Sequence, residues 1–415
     1  MPALAGLKAK VRAMLYDASA AQRIEDKIAP ISLNIIPEAP VRVNFLIPEI
    51  NFRTFFGGYI AKFNLAQKLM DAGIKVRFVL VDACQKDEAA WRQMVAQYEG
   101  IENIFDRVEV ALCFDRSQAL EVSADDRIIA TTWWTAHIAH GMAKQLDIDK
   151  FLYLIQEYEP FTFAMGSYFA LADQSYSFPH RAMFSSPQLR DYFKQKKIGI
   201  FAEPWGDPDE SMPFENAILE FEQNALLQNR KPGEFKLLFY ARPELHAARN
   251  MFEVAYLALS RAIETGAFDG ARWEFHGIGS AQGDMALPGG HTLKMLGKFG
   301  LNEYKKRLME YDLGLSLMYT PHPSLLPLEM AAAGMWVVSN ACENKTQDEL
   351  SHISTNLLAA QPTIEGVTEK LLWAAEHCDD EATRRKGAKV NWASNWNIAF
   401  DKEKMAQIVD WLAMA

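Results

Sequence analysis

TPHPSLLPLEMAAAG, residues 320–334, lies between two apolar runs, LGLSLMY (313–319) and MWVVSN (335–340). Both runs read as buried strands. Prolines 321 and 323 fix φ and lower the entropy lost on ordering the loop. Ala331–Ala333 let a helix approach a sheet closely, and Gly334 closes it. A strand, a stiff loop, a short helix and a strand make one β-α-β unit, the repeat of a parallel sheet.

The rhythm extends outward from this unit. Upstream, FKLLFYA (235–241), ARWEFHG (271–277) and HTLKML (291–296) read as strands, with helices over 250–266 and 302–311. The first half repeats it, with strands at 41–47, 75–82, 109–114, 127–134, 151–156 and 182–186. A helix from Tyr59 closes at Gly73, and another starts near Pro187. Between the halves, EPWGDPDESMPF (203–214) and QNRKPGE (228–234) have linker composition, around a helix expected over 214–229. The pattern predicts an α/β protein of two doubly wound, Rossmann-like domains facing each other across a cleft. The divisions are 1–212, including an amphipathic helix over 3–28, and 213–395. A last helix, 396–415, is expected to pack back on the first domain.

Composition narrows the function. At 415 residues, 49% apolar and 23% charged, the chain is ordinary for a globular protein and too long for one core. A net charge of −10 argues against non-specific nucleic-acid binding. Cys84, Cys113, Cys342 and Cys378 form no CxxC pair and read as reduced thiols of a cytoplasmic chain. The N-terminus lacks the apolar core of a signal peptide, and no run reaches 18 apolar residues, so a membrane span is not expected. No GxGxxG follows the first strand of either half, which counts against a dinucleotide oxidoreductase. No HxxEH-like pattern occurs and no aspartate pair resembles a DxD metal site, so no metal is expected.

Ligands of such sheets sit beyond the carboxyl ends of the strands. Gly57 and Gly58 open a helix there, as a plain turn or as a close backbone approach to a polar ligand. Arg242 lies just past a strand, with Arg249 and Asn250 at the next helix start; two guanidinium groups so placed suit a diphosphate, or are surface arginines. Lys298 adds a third cation to this rim. The loop at Ser324 and Leu325 offers backbone N–H groups to an anion. Glu329, behind it, is placed to accept ligand hydroxyls, or to find a partner in a buried helix. On the opposite rim Thr135, His137, Glu157 and Glu159 can face the cleft, His137 equally as a structural histidine.

These stretches resemble a known family. The Gly57–Gly58 loop, TTWWTAH, YLIQEYEPF with GSYFALADQSY, FYARPELHAARNMFE, LGKFGLNEYKKRL, and PHPSLLPLEMAAAGMWVVSN with Asn344–Lys345 are similar to GT-B glycosyltransferases of family 4. The bacterial WsaF-type rhamnosyltransferases are the nearest resemblance, in the same order over residues 43–345. The resemblance implies a first domain that binds a glycan or lipid-linked glycan acceptor and a second that binds a nucleotide-sugar donor. It implies transfer with retention and no obligatory metal or cofactor. Arg242, Arg249, Lys298 and Glu329 would carry the catalysis. Gly58, Asn250, Gly277, Leu296, His322, Pro323, Ser324 and Leu325 would complete the donor site. Gly57, Thr135, His137 and Glu159 would line the acceptor side.

The chain departs from the family's Glu-x7-Glu pattern: Glu329 is the second glutamate, and Pro321 stands eight positions before it. That agrees with a deoxysugar donor. The leading expectation is transfer of L-rhamnose from dTDP-L-rhamnose to a surface polysaccharide. A UDP- or GDP-hexose transferase and a non-catalytic glycan-binding protein stand beside it. The chain would work in the cytoplasm; peripheral contact with the inner membrane face and a homo-oligomer are compatible with it.

Overall fold

A computed structural model describes residues 19–413, apart from 53, 54, 56, 205, 223–225, 227–232, 281, 298 and 300. The N-terminal helix is seen over 19–28; the rest of the stretch expected from residue 3 lies outside the described residues.

The first sheet has seven strands, in the order Glu109–Leu112, Val76–Leu80, Val43–Ile47, Arg127–Ala130, Phe151–Ile155, His180–Phe184, Ser211–Pro213. Every pairing is parallel. Val43–Ile47, Val76–Leu80 and Phe151–Ile155 are buried at every position, as strands covered on both faces must be. Neighbouring side chains of one strand point to opposite faces. Phe45 therefore packs in one apolar cluster and Leu46 in another.

The second sheet runs Met285–Ala286, Thr292–Met295, Arg272–Ile278, Glu234–Tyr240, Leu313–Leu315, Trp336–Asn340, Leu357–Ala360. Only the short edge strand Met285–Ala286 is antiparallel among these pairings. In each sheet the strand order reverses beside the first long strand. The loops after Ile47 and Ala130 thus neighbour each other, as do those after Tyr240 and Leu315. These are the crevices where doubly wound sheets bind ligands.

Several elements differ from the sequence reading. Trp133 and Trp134 open a helix, Trp133–Gln145, instead of ending a strand, because Thr132 and Thr135 form a capping box there. The strand expected over 313–319 ends at Leu315. The helix expected over 214–229 is absent from residues 214–222. That segment bonds to a distant one instead of to itself. Ile218 N donates to Ala393 O (3.0 Å), Trp392 Nε1 to Asn216 O (2.8 Å) and Ala393 N to Glu215 Oε2 (2.7 Å). Ile218 and Phe221 then bury against the second domain. A small parallel pair, Leu33–Ile35 with Leu120–Val122, has no counterpart in the sequence reading.

The chain's last helices return to the first sheet. Phe400, Ile408 and Leu412 share a core cluster with Phe63 and Leu69. Arg181 Nη1 donates to Trp411 O at 2.6 Å, and Lys68 Nζ donates to Asn397 Oδ1.

The second domain is tied by a buried pair. Arg384 Nη2 lies 3.0 Å from Asp312 Oδ1, both side chains 1% exposed. Arg384 also donates to Gly334 O (2.9 Å) and Cys378 O (2.5 Å), while Asp312 Oδ2 accepts from Lys236 N (2.9 Å). Removing one partner leaves the other charged and buried. Arg384→Met is expected to cost about 3–5 kcal/mol in urea unfolding, and adding Asp312→Asn should recover part of it. A loss under about 1 kcal/mol would show the pair to be incidental.

Candidate functional site

The two domains meet where their Gly57–Asp71 and Leu325–Ala332 helices begin. A Cβ on Gly57 would stand 2.3 Å from Leu325 Cδ1, so a larger residue there would have to push the Leu325 side chain aside. A Cβ on Gly58 would make ordinary contact with Gln156 Cγ, at 3.5 Å. A helix start carries N–H groups without intrahelical acceptors and a partial positive charge. The Leu325 helix has no side-chain cap.

The loop before that helix is held from several sides. Tyr319 N donates to Arg249 O (2.7 Å), Met318 N to Asn340 Oδ1 (2.7 Å) and the buried Lys345 Nζ to Met318 O (2.7 Å). His322, 3% exposed, accepts the Ser324 N–H at Nδ1 (2.9 Å) and points Nε2 at Ser185 O (3.4 Å) in the other domain. Accepting at Nδ1 requires a neutral ring with its proton on Nε2, and burial lowers its pKa accordingly. Both ring nitrogens of His322 are therefore engaged in shaping the loop, and Ser324 N–H is spent on it. Ser324 adopts φ +66°, a strained value for a residue with a Cβ. Pro323 is buried in the same turn. Of the N–H groups expected to meet an anion, the one at Leu325 stays at the helix start.

Arg249 faces the cleft. Its Nη2 lies 3.8 Å from Glu157 Oε1 in the first domain, and Glu157 Oε2 accepts from Thr320 Oγ1 at 2.9 Å. Arg242 is bound within its own domain, donating to Glu244 (3.0 Å), Tyr240 Oη (3.1 Å) and His246 Nε2 (3.0 Å). Asn250 donates to Ala247 O (3.1 Å), while its buried Oδ1 has no partner among the described residues. Gly277 O accepts from Leu296 N (2.8 Å), and a Cβ on Gly277 would strike Met295 Sδ at 2.3 Å, so both residues serve strand packing. Lys298 lies outside the described residues.

Glu329 accepts from Tyr304 Oη (2.8 Å) and from Leu219 N (3.4 Å), the latter in the connecting segment. Burial pushes its carboxyl up to about 7 against these two donors. Tyr304, on the Leu301–Leu308 helix, is a partner that the sequence reading did not assign to the site.

The acceptor-side candidates separate. Thr135 is fully buried, and its Oγ1 accepts from Thr131 N and Thr132 N, both 2.8 Å, and donates to Thr132 O. It caps a helix and presents nothing to the cleft. His137 pairs with Leu171 O (3.0 Å) and packs edge-on against Phe178, with its pKa lowered by burial. It is the structural histidine. Glu159 accepts from Trp133 N at 2.7 Å, and burial pushes it up to about 7. Lys62 and Arg249 act on it in the opposite sense, one from each domain.

Comparisons with known proteins agree with the fold. Family models for the WsaF N-terminal and C-terminal domains match residues 42–186 and 235–372. The O-antigen biosynthesis protein RfbC of Myxococcus xanthus is 32% identical over 259 residues, 60% of this chain and 18% of RfbC. The chain thus spans under a fifth of that relative's length. Among solved structures, HepE of Anabaena in complex with UDP and glucose matches 91% of this chain and 100% of its own, with TM-score 0.58 and 14% identity. WaaG, a glycosyltransferase involved in lipopolysaccharide biosynthesis, matches 88% and 99%, with TM-score 0.53 and 12% identity. The fold is GT-B.

The raised pKa of Glu329 has a testable sign. A folded value of about 7 against an ordinary 4.5 means protonated Glu329 stabilises the fold. That contribution is complete below 4.5 and is lost as pH rises through about 7. Glu329→Gln keeps the neutral form at every pH. Its melting temperature relative to wild type should climb between about pH 5 and about pH 8. A flat difference would place the Glu329 carboxylate in water.

Proposed function

The chain belongs to the WsaF family, and from that premise we propose that it is a retaining glycosyltransferase moving L-rhamnose from dTDP-L-rhamnose onto a growing glycan. The observation that carries this is the meeting of Arg249, the Leu325 helix start and the Gly57 helix start at one place in the cleft. Guanidinium and helix N–H groups together suit the diphosphate of a nucleotide sugar. The relatives support the class: RfbC is named for O-antigen biosynthesis, HepE binds UDP and glucose, and WaaG is a glycosyltransferase.

In this reading Glu329, held by Tyr304, accepts from a hydroxyl of the nucleotide's deoxyribose. The first glutamate of the usual pair is replaced by Pro321, which is buried with His322 and Pro323. A proline where the family has a glutamate removes an acceptor for sugar hydroxyls, which supports a deoxysugar over a fully hydroxylated hexose. The C1–phosphate oxygen bond breaks, the acceptor oxygen bonds to C1, and the acceptor's proton passes to the departing phosphate. Charge building on that phosphate meets Arg249 and the helix starts, with Arg242 as a further cation of the rim, and no metal is needed. The acceptor is a glycan or lipid-linked glycan. Among the described residues no helix is long and apolar enough to cross a membrane, so contact with a lipid-linked acceptor would be peripheral.

A thermal-shift panel with dTDP, UDP, GDP and ADP, each with and without EDTA, tests the proposal. At 100 times its dissociation constant a ligand adds roughly 2.7 kcal/mol, a shift of about 2–4 °C or more. A dTDP-selective shift that survives EDTA is expected. A UDP preference, as HepE would suggest, keeps the class and overturns the sugar. No shift with any nucleotide overturns the enzyme. In the same assay Arg249→Ala should weaken diphosphate binding by about 1.5–3 kcal/mol; unchanged affinity removes Arg249 from the site.

A further inference from the structure

Lys62 lies one turn inside the Gly57–Asp71 helix, four residues after Gly58. A helical side chain leans toward the N-terminus, over the residue four positions earlier. Here that residue has no side chain, so the Lys62 stem has a clear run toward the helix start. The residue is only 4% exposed. No hydrogen bond or ion pair joins its ammonium to a described residue; its contact is the Tyr59 ring, 4.5 Å from the centroid. A buried ammonium without a hydrogen bond is costly. Burial accordingly lowers its pKa to about 8, opposed by Glu159.

A second unsatisfied donor stands next to Gly58. Gln156 Oε1 accepts from Asn216 Nδ2 at 2.8 Å, which orients the amide. Its Nε2 is buried and has no partner among the described residues. Gln156 is also the residue that a Cβ on Gly58 would touch. One cation, one orphan amide and the N–H groups of a 15-residue helix thus border the same corner of the first domain. Neither the Lys62 ammonium nor the Gln156 Nε2 has a hydrogen-bond acceptor among the described residues, though the Glu159 carboxylate acts on Lys62 through space. Glu159 feels Lys62 from the first domain and Arg249 from the second, and Arg249 itself reaches the first domain at Glu157, 3.8 Å away.

We propose that Lys62 and Gln156 bind an oxyanion of the nucleoside diphosphate from the first-domain side, opposite Arg249. The proposal rests on the glycosyltransferase reading above. It makes the diphosphate the bridge between the domains: one wall supplies Arg249 and the Leu325 helix start, the other Lys62, Gln156 and the Gly57 helix start. Glu157, which engages Arg249 and Thr320 across the same gap, holds the place that the phosphate takes. Lys62 then faces the charge that develops as the sugar leaves.

Calorimetry on the full chain tests this, using dTDP, UDP, GDP and ADP beside their nucleosides, with wild type, Lys62→Met and Lys62→Arg. Lys62→Met is expected to lose about tenfold or more in affinity for the diphosphate that wild type binds, with nucleoside affinity unchanged. Lys62→Arg should recover most of the loss. Equal diphosphate affinity in wild type and Lys62→Met overturns the assignment, as does an equal loss for nucleoside and diphosphate. If wild type binds none of the nucleotides, the glycosyltransferase reading falls and takes this one with it. Should Lys62→Met not fold, Gln156→Glu serves. It keeps the bond from Asn216 but replaces the orphan donor with a carboxylate, and undiminished diphosphate affinity in that variant overturns the proposal.

Discussion

Two helix starts, one from each domain, come together where the Leu325 side chain fills the space beside Gly57. Each carries partial positive charge, and the nearby Arg249 and Lys62 add whole charges. Such a junction is stable only with negative charge close by. Glu157 supplies it across the gap, bonded to Thr320 and near Arg249, and Glu159 supplies it at the Trp133 helix start. The rest of the molecule serves this junction. Two parallel sheets each reverse strand order beside their first long strand, and the reversal aims both loop pairs at the cleft.

Rigidity around the junction comes from groups that a sequence reading assigns to ligand contact. His322 uses both ring nitrogens to shape the turn that delivers Leu325, and Ser324 takes a strained φ for the same end. Thr135 spends its hydroxyl on three backbone partners. Polar residues at strand ends thus do two kinds of work, holding loops and holding ligands. The sequence presents both as the same residue types. The carboxylate of Glu329 combines them: it is fastened by Tyr304 and Leu219, yet lies on the helix that follows the cleft loop.

Much of the fold was legible because both domains obey one short-range rule. Strands such as FLYLI and VRFVL are apolar at successive positions, and helices with glycine ends separate them. The elements misread were those decided at long range. Residues 214–222 carry helix-compatible composition but bond to Trp392 and Ala393, far along the chain. The two tryptophans of TTWW look like strand residues, yet the Thr132–Thr135 capping box starts a helix on them. At the site, Gly57, Arg249 and Glu157 could be read from their places at strand and helix ends. Lys62 could not, since a lysine among the mixed polar and apolar residues of a helix looks like an ordinary surface position. A search for a lysine four residues after a helix-start glycine would have found it.

By itself the sequence determined the two sheets, the division into halves and the family, because apolar periodicity, glycines and stiff loops act over a few residues. Tertiary structure alone decided which polar groups are spent and which remain. Whether His322 turns inward, whether Gln156 keeps an unused N–H, and whether Glu329 finds Tyr304 depend on residues tens to hundreds of positions away. A hydrogen bond's partner is fixed by position in space, and burial makes that choice energetically decisive.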